Sequence, residues 1–109
     1  MNKYLKDYTA GVNSPHASGF EHLNTLMCRD KLFEIEGSLT AEEKKQLDQA
    51  DQHLVEVAAE FLTELQRITT LRYEREQRQA SPERWWWYLD VIARLPASIV
   101  RPAKQAVTA

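Results

Sequence analysis

The sequence predicts an all-α domain, and three observations predict it. Apolar residues recur at helical spacing across residues 41–79. Two capping boxes, Ser18 with Glu21 and Thr40 with Glu43, mark helix starts. The chain holds only 3 glycines and 4 prolines in 109 residues, and none lies between Gly37 and Pro82.

Residues 1–18 form an N-terminal arm. Tyr4, Leu5 and Tyr8 suit one short helical turn that pins the arm to a surface. Gly11, Asn13, Ser14, Pro15, Ser18 and Gly19 then read as a turn-rich stretch. No regular core role is expected of the arm. The helical domain proper covers 19–96.

The first long helix is expected from Gly19, after the Ser18 cap. Phe20, Leu23, Leu26 and Met27 share one arc and are read as its core face. Phe33-Glu34-Ile35-Glu36 alternates as a strand would, but no partner strand is evident. The helix is therefore carried to Glu36, with Gly37 as its C-terminal cap.

The second helix spans 41–79 and organises the rest. Leu47, Ala50, Leu54, Val57, Ala58, Phe61, Leu65, Ile68 and Leu71 fall on one arc, while Gln52, Glu56, Glu60 and Arg67 fall opposite. Such a helix faces a core on one side only. Unbroken, it would be roughly 58 Å long at 1.5 Å per residue. The arc stops near Leu71, so the last turns project, bend or meet another chain. The short 37–39 connection predicts an antiparallel hairpin with the preceding helix.

A third helix is expected over 82–95. Ser81-Pro82-Glu83 is a start signal: a serine cap, proline at the first position and an acid in the first turn. Pro96 ends it, and 97–109 is a C-terminal tail. On a wheel, Trp85, Tyr88, Leu89, Ile92 and Leu95 centre its apolar arc, with Trp86 and Trp87 at opposite edges. Three helices of unequal length leave part of the second uncovered. The expected fold is a three-helix bundle completed by oligomerisation, as a homodimer or in a hetero-assembly.

Charge is unevenly spread. Residues 1–64 carry 6 Lys and Arg against 12 Asp and Glu, a net −6; residues 65–109 carry 8 against 4, a net +4. Acid-first, base-last order matches the helix dipole and also suits head-to-tail or antiparallel pairing between chains. The net charge is −2 and the pI about 5.9, against the strongly basic footprint of a typical nucleic-acid binder. A single cysteine excludes an internal disulfide framework and fits a reducing, cytoplasmic setting. The longest apolar run, Trp85–Leu89, is far too short to span a membrane. Trp, Tyr and basic residues over 84–104 suit an interfacial helix, but the polar strip is narrow and the basic residues few.

The three tryptophans suit the filling of a small core; alternatively, two sets of residues are candidates for partner binding: Trp86 and Trp87 as aromatic anchors, and Arg72, Arg75, Arg78 and Arg84 around them. Trp and Arg are enriched at binding hot spots. Arginines beside aromatic rings also suit single-stranded nucleic acid. Against that, Glu74, Glu76 and Glu83 interrupt the run, and Glu74–Arg78 and Arg72–Glu76 are spaced to pair with one another. His53 with Glu56, Glu60 and Glu64 shares a helix face, but the order is His-x-x-Glu and no second helix supplies a matching set, so no metal is expected. Cys28, with His16, His22 and His53 elsewhere in the chain, lacks an evident base and orienting group for catalysis. No phosphate-binding loop is present, and no cofactor is expected. The expected function is a non-catalytic helical protein–protein interaction module, an adaptor, assembly factor or small regulatory subunit, acting through the Trp/Arg-rich half. Nucleic-acid binding is the alternative.

Overall fold

A computed structural model describes residues 2–95. All regular structure there is helical. The expected tail 97–109 lies outside the described residues.

The first ten structured residues correct the reading of the arm. Asn2 caps helix α1, Lys3–Val12, by accepting from the backbone N–H of Tyr4 at 2.8 Å and of Leu5 at 3.3 Å. Leu5, Tyr8 and Val12, spaced i, i+3, i+7, are all fully buried. The segment is a core helix, not an arm: its apolar stripe is narrow but continuous.

Helix α2, Gly19–Glu34, starts at the expected capping box. The Ser18 Oγ accepts from the Glu21 N–H, and Glu21 Oε2 accepts from the Ser18 N–H at 3.2 Å. It ends two residues early, and a 3-10 turn, Glu36–Ser38, holds Gly37 in place of the expected cap. Helix α3, Ala41–Glu56, starts at the Thr40–Glu43 box.

The single helix over 41–79 is not formed. It is three helices: α3, then α4 (Ala58–Leu65), then α5 (Leu71–Arg78). Between α3 and α4 the chain bends at Val57, whose φ and ψ are −102° and 15°. Neither glycine nor proline marks this bend. The second interruption, residues 66–70, has a local cause. Ile68-Thr69-Thr70 is a run of β-branched residues, which are poor helix formers. Thr70 then caps a new helix by accepting from the Tyr73 N–H at 3.1 Å. Size supplies the tertiary reason. The longest extent of the molecule is 36 Å, well short of an unbroken helix of that length. Bending lets Leu47, Ala50 and Leu54 of α3, Phe61 and Leu65 of α4, and Leu71 of α5 all enter one core.

The expected helix over 82–95 is also corrected. Gln79 closes α5 in the left-handed conformation, φ 50°. Ser81–Arg84 is a turn, Trp85–Tyr88 a 3-10 turn, and only Leu89–Ile92, helix α6, is α-helical.

Packing follows from these breaks. Helix α1 lies against α2 and α3, while α2 also meets α4 and the Trp85–Tyr88 turn. The tight hairpin is therefore α1 with α2, with α2 facing the former long helix through α4. Close approach depends on two glycines. A Cβ at Gly11 would fall on the Thr25 side chain, and one at Gly19 would sit 2.6 Å from the Glu64 carbonyl oxygen.

Candidate interaction surfaces

The Trp-rich turn is the first place to look, because sequence reasoning put the partner-binding residues there. Trp86 and Trp87 are both fully buried. Burial agrees with the core reading of the tryptophans and not with exposed anchors, and the helix expected to carry them at the edges of its arc does not form. Both indole N–H groups donate to the same oxygen, Asp30 Oδ1 on α2, at 2.8 and 2.9 Å. The Arg84 guanidinium reaches that oxygen too, at 2.9 Å. One carboxylate oxygen thus anchors the turn by three donors, two of them on adjacent residues. Buried indole N–H groups need such an acceptor.

Three of the arginines pair with carboxylates and rings around the tryptophans. Arg75 donates to Asp90 Oδ1 at 2.7 Å and to the Trp87 carbonyl at 3.2 Å, and lies over the Tyr88 ring. Arg78 pairs with Glu74 at 3.1 Å and lies 4.5 Å from the Trp87 ring centroid. Arg84 covers Phe33 while it holds Asp30. Arg72 stands apart: it is exposed and pairs with Glu76 at 3.2 Å on its own helix. Five of the six candidate residues therefore belong to one cluster of stacked guanidinium groups and rings, with Trp86 and Trp87 buried, Arg75 and Arg84 half-buried and Arg78 exposed at its rim. The expected Glu74–Arg78 and Arg72–Glu76 pairs are both formed.

Next to this cluster lies a buried polar network that sequence reasoning missed. Arg29 grips Asp51 on α3 side-on, Nε to Oδ1 at 2.9 Å and Nη2 to Oδ2 at 3.0 Å. The Tyr8 hydroxyl donates to the same Oδ1 at 2.7 Å. The guanidinium of Arg29 stacks 4.3 Å from the Trp86 ring centroid. Burial, then the Asp51 charge, pushes the Tyr8 phenol well above its ordinary range. The network ties α1, α2, α3 and the Trp turn at one point. Only the i, i+3, i+7, i+10 placement of His22, Thr25, Arg29 and Leu32 could have suggested it.

That placement changes the reading of α2. Its buried face is His22, Thr25, Leu26, Arg29 and Leu32, not the predicted Phe20–Leu23–Leu26–Met27 arc. At about 100° per residue, Phe20 lies nearly opposite the centre of the buried face. Phe20 is 72 % exposed and Met27 45 % exposed, with Leu23 half-buried between them. The helix turns this way because each polar residue inside finds a partner. Thr25 donates back to the Glu21 carbonyl at 3.0 Å. His22 stacks on Phe61 with ring centroids 3.8 Å apart. Its Nε2 lies 2.9 Å from the Pro15 carbonyl, which only accepts, so Nε2 carries the proton and Nδ1 is an acceptor. No group in the fold partners Nδ1 among the described residues. Burial lowers the His22 pKa, with the Pro15 bond opposing it.

The remaining candidates are quickly placed. His53 Nδ1 lies 3.9 Å from Glu56 Oε2, and among the described residues no three His, Cys, Asp or Glu side chains converge as a metal site. Cys28 is buried, and burial followed by the Asp7 charge raises its thiol pKa, away from a reactive thiolate. Among the described residues no helix is long and apolar enough to cross a membrane.

Phe20 and Met27 thus lie on an outward-facing apolar stripe of α2, while Trp86 and Trp87 are buried. Comparison of the chain with family models, with curated proteins and with solved structures finds no match.

Proposed function

We propose that this chain is a non-catalytic helical protein–protein interaction module, an adaptor, assembly factor or small regulatory subunit, whose contact surface is the outer face of α2. The observation that carries it is the exposure of Phe20 and Met27 on one stripe of a capped, well-packed helix. Phe20, Leu23 and Met27 follow i, i+3, i+7, the pattern by which one helix docks on another. Large apolar side chains grouped on a surface mark interaction sites, whereas single ones do not. A rigid helix also presents them at low entropic cost. We place the site on α2 rather than on the Trp/Arg cluster because Arg75, Arg78 and Arg84 already pair with carboxylates of the fold, which also speaks against the nucleic-acid reading.

Self-association through this face, the expected completion of the bundle by a second copy, belongs to the same proposal. So does a cytoplasmic setting, which rests on the single unpaired thiol of Cys28. The test is a pair of surface variants, Phe20→Ser and Met27→Ser. Each is expected to weaken association, with itself in analytical ultracentrifugation or with proteins co-purified from the native source, while helicity and melting temperature stay unchanged. Unaltered association in the double variant would sink the proposal.

A further inference from the structure

Beside the outer face of α2 runs a groove of 570 Å3 between α1 and α2. Asp7, Ala10 and Ser14 line one side and Phe20, Glu21 and Asn24 the other, with His22 in its wall. Two of its side chains are carboxylates with oxygens left free. Asp7 makes no hydrogen bond or ion pair among the described residues. Glu21 uses Oε2 for the capping box and leaves Oε1 free. Among the described residues the lining contains no lysine or arginine. Phe20 stands at the rim with most of its ring in solvent.

We infer that this groove receives a lysine or arginine side chain of the protein partner that docks on the Phe20–Met27 face. The inference rests on the interaction reading above and adds the chemistry of the partner. An ammonium brings three donors and a guanidinium five, and neither accepts, which complements the free carboxylate oxygens of Asp7 and Glu21. Two carboxylates give the attraction, and the Phe20 ring offers its face to the cation. A free polyamine would satisfy the carboxylates but leave Met27 uncovered, two turns or about 10 Å along the helix from Phe20. A basic residue set in an apolar helical segment covers both.

The experiment uses the full chain, 15N-labelled, and two amphipathic helical peptides of about 14 residues with the same leucine stripe. One carries lysine at the positions flanking the stripe, the other glutamate. The lysine peptide is expected to shift the amide signals of Gly11, Ser14 and Asn24 and to bind more tightly. Asp7→Asn and Glu21→Gln should each weaken it by about fivefold, the effect of losing one partly exposed ion pair. Glu21→Gln keeps the capping box, since glutamine serves at that position, so an unchanged melting temperature separates binding from folding. Equal affinity for both peptides, or an affinity unmoved by Asp7→Asn and Glu21→Gln, overturns the basic side chain; the interaction reading then survives if Phe20→Ser still weakens binding. Spermidine that displaces the lysine peptide with equal affinity makes the ligand a small cation and overturns the peptide. No response to either peptide at low salt, with association also indifferent to Phe20→Ser, defeats both readings together.

Discussion

The Trp-rich turn and the outer face of α2 exchange the roles that their sequences suggest. Trp86, Trp87 and their arginines have the composition of a binding hot spot, yet both tryptophans are fully buried and three of the arginines pair with carboxylates of the fold. Phe20, Leu23 and Met27 have the spacing of a core stripe, yet Phe20 and Met27 face solvent. The difference lies in where acceptors are. Asp30 and Asp51 sit where buried indole, guanidinium and phenol groups can reach them, and those donors are drawn inward. Phe20 has only apolar area to offer, and burying one ring yields less than satisfying the paired groups that would have to turn outward in its place. Hydrophobicity ranks residues for burial; the partners of polar groups decide which face of a helix turns in.

The largest expected effects are on the interior side. Trp86→Ala or Trp87→Ala should cost about 3–5 kcal/mol by cavity formation alone, enough to unfold much of a marginally stable domain, read by urea denaturation. Asp51→Ala should cost about 3–5 kcal/mol, since it strands the buried Arg29, and Arg29→Met with Asp51→Leu should recover part of that loss. Stability near the value of the unaltered chain in any of the three single variants would break the comparison.

A pH titration gives a smaller effect and sharpens it. The folded-state pKa of His22 is lowered, so the folded chain favours the neutral ring. Its contribution is complete above the unfolded pKa of about 6.5 and is lost as pH falls from there toward the folded value. The urea midpoint should therefore drop between pH 7 and pH 5, and His22→Phe should flatten that part of the curve. Midpoints of the parent and His22→Phe that fall in parallel would show that His22 is not responsible. At the bottom of the scale, Phe20→Ser should change stability by no more than about 0.5 kcal/mol. A larger loss would mean that Phe20 is part of the core after all.

Much of the helical grammar is legible in the chain. Both capping boxes form, at Ser18–Glu21 and Thr40–Glu43, because they need only local atoms. Helix α5 ends within a residue of its expected limit, at Arg78. The Thr70 start was legible as well, as a β-branched run followed by a cap, but the strong periodicity on both sides overrode it. The α1 stripe was missed because Gly11 and Pro15 nearby read as a turn. The bend at Val57, the loss of the 82–95 helix and the rotation of α2 have no local signature. Each is set by contacts far apart in the chain, such as Asp30 with Trp87 and Arg29 with Asp51.

The shared acceptor at Asp30 also orders the birth of the molecule. Its indole donors lie 56 and 57 residues further along the chain. During synthesis, at about 5–20 residues per second, α1 to α4 leave the ribosome with Asp30 bare and the outer side of Arg29 uncapped by Trp86. The N-terminal helices can assemble around Tyr8, Arg29 and Asp51, but the molecule closes only when Trp87 has emerged. A nascent chain arrested before residue 84 should therefore be captured by proteases and chaperones that ignore the finished protein.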